Sequence, residues 1–324
     1  MGHDSRNESS GAVDFAISSV AVPGIRRRHL QLTHSRRFLA GLLISPAVLF
    51  IAALVGAPFV LSIYLSLTDA TAGSLTGPWV GLRNFTTVIH DPIFQGAVWH
   101  TFLITLISQA VVILCASLLA HALVRQFRGR WLLRFFVLLP WAAPISLTVI
   151  GFLWFFDPQF SIFNWFLIHL HIVSQATKPD WLGTPKAAMS SIIAVEAWRT
   201  IPFATVIFIA GISSIPQEVD DAAAMDGASG LQKFWYVSLP LQLPIALVAI
   251  LFGIVFTATD MVVPYILTNG GPFNSTQVLT TYAFQQGINA GNIGEGAAIA
   301  LFMVPVLAFV VVAMLLFARR VEVT

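Results

Sequence analysis

The sequence predicts an all-α polytopic membrane protein of about six transmembrane helices. Two compositional facts carry that prediction: 57% of the 324 residues are hydrophobic and only 10% are charged, whereas an ordinary soluble domain carries about 25% charged residues. The third observation is spacing. Polar turns divide the apolar sequence into stretches of roughly 20–25 residues or more, the length that crosses a ~30 Å hydrocarbon core as a helix. Such a chain leaves no room for a separate soluble catalytic domain, so any energy source must lie on another subunit or in an ion gradient.

Residues 1–37 are polar and basic. Asp14 and Pro23 interrupt the only mildly apolar run there, which argues against a signal peptide and for a disordered cytosolic tail. The tail ends in Arg26-Arg27-Arg28-His29 and Arg36-Arg37, directly ahead of the first span, where basic residues suit a juxtamembrane lipid anchor better than a nucleic-acid site. The membrane domain is expected over 38–320, with spans at 38–67, 97–124, 132–156, 188–212, 243–267 and 293–317 and a short cytosolic C-terminus over 321–324. In the first span Pro46 and Pro58 are candidate kinks. Pro140 and Pro144 in the third remove helix hydrogen bonds and are expected to bend it. Between spans three and four, Ser161 to Leu167 is rich in aromatic residues and suited to lying in the interface. His169 and His171 follow it without a neighbouring acid, which gives no reason to expect a metal site. Cys115 is the only cysteine and has no partner for an intrachain disulfide.

Charge orients the spans. With both termini inside, Arg6, Arg26, Arg27, Arg28, Arg36, Arg37, Arg125, Arg128, Arg130, Arg134, Lys233, Arg319 and Arg320 fall in the cytosol and only Arg83, Lys178 and Lys186 fall outside. Basic residues concentrate on the cytosolic side of membrane proteins. The same orientation puts the polar interruption at 213–242 in the cytosol.

That interruption reads as two short helices meeting at a corner. Ser214 is placed to cap the first, with Gln217 three residues later and Glu218, Asp220 and Asp221 near its positive end. Gly227 ends it. Ser229 and Gln232 repeat the capping pattern, which predicts a second helix over 230–238 that stops before Pro240. A mere connector needs no such rigid corner.

The run Asp221-Ala222-Ala223-Ala224-Met225-Asp226-Gly227-Ala228, between Ile215-Pro216 and Leu239-Pro240, resembles the EAA loop of ABC importer permeases of the carbohydrate-uptake type (the maltose and glycerol-phosphate branch). The family's leading Glu is Asp221 here, one methylene shorter. Trp79-Val80-Gly81-Leu82-Arg83-Asn84-Phe85 before the second span and Leu267-Thr268-Asn269-Gly270-Gly271-Pro272 after the fifth resemble further family signatures, although His100-Thr101 stands where the family usually has Asn-Thr. The resemblance implies a MetI-like permease core preceded by one N-terminal helix. It implies that Asp221, Ala222, Ala223, Met225, Asp226, Gly227 and Ala228 dock on an ATPase. It also implies the partners: a second homologous permease, two ATPase subunits and an extracytoplasmic solute-binding protein, with the lipid bilayer around them, no nucleic acid, and a bacterial inner membrane as the location. No cofactor is expected on this chain, which has no P-loop; ATP and Mg belong to the ATPase subunits. The implied cargo is a sugar or related polyol.

Within the spans the charged residues stand out. Arg199 lies about eleven residues from the outer end of the fourth span, roughly 17 Å deep at ~1.5 Å per residue. Glu196, three residues earlier, shares its helix face and is the expected partner. Asp260 is a second candidate, with Thr257 and Thr259 as expected hydroxyl neighbours, and Trp198, Phe203 and Phe256 are candidates for stacking on sugar faces. Glu196, Trp198, Arg199, Phe203, Phe256 and Asp260 are thus the candidate substrate path; sequence leaves open that Glu196 and Arg199 are instead a structural ion pair locking two subunits and that the aromatics simply face lipid or the core. The class of transporter is also open to a degree: an ion-driven secondary transporter using Glu196, Arg199 and Asp260 as a relay is the rival, and an amino-acid or peptide permease is the rival within the importer class. A membrane enzyme is disfavoured because no converging nucleophile, metal ligands or acid-base pair is legible.

Overall fold

The computed structural model describes residues 36–322. The expected basic tail therefore lies outside the described residues except for its last two positions, as do residues 323 and 324. Among the described residues the regular structure is helical, with isolated bridges at Thr68–Trp79 and Thr71–Ser74 in place of any strand. The described residues fall into two compact units, divided between Ala57 and Pro58. In the first, helix α1 (Arg36–Ile51) runs into a π turn at Ala52–Gly56. The wide turn stands just ahead of Pro58, whose ring and missing N–H an α turn accommodates poorly. Helix α2 (Ala57–Ser66) follows, and the stretch Leu39–Ser66 is long and apolar enough to cross a membrane.

The second unit is built on α4 (Pro92–Val124), α8 (Pro185–Ser213) and α11 (Leu239–Thr259). Their common core is lined by small residues around one large one: Ala116 and Ala120 of α4 meet Ala197, Ala204 and the bulky Phe208 of α8 and Ala246 and Ala249 of α11. Lipid tails give apolar helices no reason to leave them, so close approach through small side chains supplies the packing. Gly253 shows how close: a methyl group there would meet Gln109 Oε1 at 2.1 Å. Two further clusters complete the unit. One joins Val149 and Phe156 to Ile192, Val195 and Val263; the other joins Val88 of α3 (Arg83–Ile89) and Ala97 to Tyr282, Ile299 and Met303.

Several expected boundaries are corrected. The third span, expected as one helix over 132–156, is two: α5 (Arg130–Ala142) and α6 (Ile145–Phe155), bent by 103°. Pro144 is the cause, because it holds Ala143 in an extended conformation (φ −78°, ψ 141°) and offers no N–H to the helix. Pro140 sits inside α5 without ending it. The second span starts earlier than 97, at Pro92, where Asp91 caps the helix by accepting from the Ile93 N–H.

Around the loop the differences are larger. Ser214 does not cap the first loop helix; its hydroxyl donates to the Gly211 carbonyl at 2.8 Å and closes α8, and Pro216 occupies the cap of α9 (Gln217–Met225). The second loop helix does not stop before Pro240. It runs from α10 (Gly230–Lys233) through a π turn at Phe234–Ser238 into α11, the wide turn making room for the Pro240 ring. The fifth span then ends at Thr259, not at 267. Asp260 is extended and its Oδ1 accepts from the Val262 N–H at 2.7 Å, starting a separate short helix, α12 (Val262–Thr268). Helix α7 (Ile162–His169) follows the bent pair, α13 (Leu279–Phe284) precedes the last span, and α14 (Ile293–Glu322) is that span.

Candidate functional site

Arg199 projects from the middle of α8 toward the break after α11. Its Nη2 donates to Glu196 Oε2 at 2.9 Å and stands 2.8 Å from Asp260 Oδ2, so one guanidinium bridges two carboxylates on different helices. The side chains are 21%, 1% and 6% exposed for Arg199, Glu196 and Asp260, which makes the cluster a desolvated one in which each charge depends on the others. Glu196 Oε1 and Arg199 Nε are buried without a hydrogen-bond partner. Glu196 is thus the partner that helical spacing predicts, and Asp260 is a third member rather than a separate site.

A cavity of about 250 Å³ opens beside this cluster, lined by Trp141, Arg199, Thr200, Phe256, Thr259 and Asp260. Trp141 stacks on Phe203 with ring centres 5.2 Å apart and lies 6.0 Å from Phe256, and Phe203 meets Phe256 edge-on at 5.4 Å. Phe203 therefore stands behind the wall and props it. Trp198 is not part of this site: it points to the other side of α8 and meets Phe152 edge-on at 5.2 Å. Nor do the threonines serve Asp260. Thr257 accepts from Gln109 Nε2 at 2.9 Å, and Thr259 donates to the Val255 carbonyl at 2.7 Å.

Trp141 and Thr200 are the wall residues that the sequence does not announce. Trp141 reaches the cavity because α5 turns away at Pro144. The signal available was a tryptophan between two prolines in a span that had to bend. Together the wall offers two aromatic rings, two hydroxyls and one charged edge. Aromatic faces pack against the C–H faces of sugar rings, while hydroxyls and charged groups satisfy the ring hydroxyls.

At the other end of α8 the loop forms a corner with defined geometry. Gly227 adopts φ +77°; its N–H donates to the Ala224 carbonyl at 3.1 Å and the Ala228 N–H to the Ala223 carbonyl at 3.0 Å, the paired bonds of a glycine-closed helix end. Ser229 N–H donates to Gln232 Oε1 at 2.8 Å and Gln232 N–H to Ser229 Oγ at 3.4 Å, which forms the capping box at the start of α10. Of the seven loop residues, Ala223 is buried and Ala228 half-buried, whereas Asp221, Ala222, Met225, Asp226 and Gly227 are exposed, Met225 to 88%. Beneath the corner lies a second cavity of about 400 Å³, whose lining includes His121, Ser213, Gln217 and Phe234.

Apolar helices around a polar cavity, with a rigid, exposed corner where two of them join, define a membrane permease. The chain belongs to the family of binding-protein-dependent transport system inner membrane components, which it matches over residues 112–323. It is 31% identical over 268 residues to the sulfoquinovosyl glycerol transport system permease protein SmoG of Agrobacterium fabrum, across 82% of this chain and 86% of that protein. To the trehalose/maltose transport system permease protein MalF of Thermococcus litoralis it is 30% identical over 283 residues, across 87% and 94%. A bacterial ABC transporter involved in the import of the acidic polysaccharide alginate shares the fold, with a TM-score of 0.75 at 20% identity over 88% of this chain and 96% of that one. The chain is a permease subunit of an ABC importer, and the ATPase is a separate subunit.

Proposed function

We propose that this chain and a second, homologous permease form the membrane path of a sugar or polyol importer. Of two ATPase subunits, which carry ATP and Mg, one docks on the corner formed by Asp221, Ala222, Ala223, Met225, Asp226, Gly227 and Ala228. An extracytoplasmic binding protein delivers cargo from the opposite side, and the termini and the corner face the cytosol. The observation that carries this reading is the exposed helix α9, closed by the left-handed Gly227 and presenting Met225 almost fully to its surroundings. An exposed apolar side chain on a rigid knob is what a docking partner covers. The sugar relatives named above support the cargo class, and the cavity wall of Trp141, Thr200 and Phe256 suits it.

Movement of the ATPases on binding ATP reaches the membrane through α9 and the continuous helix from Gly230 to Thr259, at whose far end Asp260 meets Arg199. The corner and the charged cluster are thus joined by one helix. Purification of the tagged chain from native membranes tests the proposal: an ATPase, a second permease and a sugar-loaded binding protein are expected to accompany it. A complex that contains no ATPase would contradict it.

A further inference from the structure

We infer that the path lined by this chain takes uncharged or cationic saccharides and excludes anionic ones. The inference rests on the importer reading above and adds to it the charge class of the cargo. Family membership leaves that class open, since the relatives include a permease named for sulfoquinovosyl glycerol and a fold neighbour that imports an acidic polysaccharide.

In a place with little water, charge balance decides what can bind. Among the described residues that line the cavity Arg199 is the one cation, and both of its carboxylate contacts, Glu196 and Asp260, lie within 2.9 Å. With both acids ionised the cluster carries one negative charge. With either acid protonated it carries none. In neither form does it offer a positive charge to a passing carboxylate, sulfonate or phosphate. An anion that reaches the remaining N–H groups of Arg199 meets a guanidinium whose charge two carboxylates already offset through Nη2, and pairing that charge in full would draw it from acids that are 1% and 6% exposed and strand a buried carboxylate.

The rest of the wall points the same way. Trp141 and Phe256 contribute aromatic rings, which bring no cation to pair an anion. Thr200 and Thr259 contribute neutral hydroxyls, and Asp260 contributes an acidic edge. Such a wall suits the C–H faces and hydroxyls of a neutral sugar, or the ammonium group of an amino sugar.

The test uses the complete complex with its binding protein in proteoliposomes. It is offered an equimolar mixture of neutral hexoses and disaccharides, hexosamines, hexuronates, hexose phosphates and a sulfonated hexose, and the lumenal contents are quantified by mass spectrometry after ATP is supplied. Neutral or amino sugars are expected to accumulate at least about tenfold over every anionic member. In the Glu196→Gln, Asp260→Asn double variant, which exposes the Arg199 charge, that ratio is expected to fall at least about threefold with the same binding protein. Asp260→Asn alone serves if the double variant does not assemble. Accumulation led by an anionic sugar would overturn the inference and leave the importer reading standing, as would a ratio unmoved by the substitutions. ATP-independent behaviour, with no member accumulating on addition of ATP, would remove the importer reading and this inference together.

Discussion

Arg199, in the middle of α8, and Asp260, at the residue where α11 ends, approach to 2.8 Å and tie two helices together at the wall of the cavity. Asp260 also holds the backbone of α12 through the Val262 N–H, so one carboxylate joins α8, α11 and α12. A shift of α11 along its axis has to stretch this contact. The cluster is therefore both part of the cavity wall and a lock on the arrangement of helices.

The three members are expected to respond unequally to substitution. Arg199→Ala leaves two buried acids with no cation and should cost on the order of 3 kcal/mol or more, with loss of complex yield. Glu196→Gln keeps the Arg199–Asp260 contact and should cost about 1 kcal/mol. Replacing all three by neutral residues (Glu196→Gln, Arg199→Gln, Asp260→Asn) should restore assembly relative to Arg199→Ala, because no buried charge is left unpaired. Yield and thermal unfolding of the four proteins decide the matter. Equal stability of Arg199→Ala and wild type would show that the cluster does not lock the helices.

The corner at Gly227 gives a second expectation. Its φ of +77° is open to glycine and tolerable for asparagine, and costs a β-branched residue roughly 1–2 kcal/mol. Space is not the constraint, since a Cβ there would meet nothing within 4 Å. Gly227→Val should deform the end of α9 and abolish cargo-stimulated ATP hydrolysis while the membrane helices still assemble, and Gly227→Asn should retain most of it. Full stimulation in the valine variant would reduce the corner to a linker.

A third expectation concerns the end of the molecule opposite the loop. The Tyr282 hydroxyl donates to Asp91 Oδ2, and burial, with the hydrogen bond to Asp91 adding to it, pushes the Tyr282 pKa up to about 12. An unfolded tyrosine ionises near pH ~10. The folded protein therefore holds this proton more tightly than the unfolded chain. The stability it contributes is present below about pH 10 and is lost as the pH rises through about 12. Ultraviolet phenolate titration of wild type minus Tyr282→Phe should show the late step, and a difference curve centred at the ordinary tyrosine value would contradict the geometry.

Much of this architecture was legible because it rests on local chemistry. Glu196 and Arg199 pair as their three-residue spacing requires, Gly227 closes α9, and Ser229 with Gln232 forms a capping box. What sequence did not reveal depends on contacts far apart in the chain. Asp260 meets Arg199 across sixty-one positions, and Trp141 enters the cavity only because of the turn at Pro144. Trp198 shows the converse error, since an aromatic beside a charged residue on a helix necessarily faces another way, here to Phe152. The run from Gly230 to Thr259 was hidden because Pro240 usually ends a helix, and a π turn let this one continue.

On this reading the chain moves cargo only when an external ATPase acts on its corner. Uptake of labelled sugar into proteoliposomes that hold either the chain alone or the complete complex, with ATP and with an imposed proton or sodium gradient in separate runs, tests it most directly. Uptake is expected by the complete complex with ATP, and none by the chain alone under either gradient. Gradient-driven uptake by the chain alone would contradict it and make Glu196, Arg199 and Asp260 the relay of a secondary transporter.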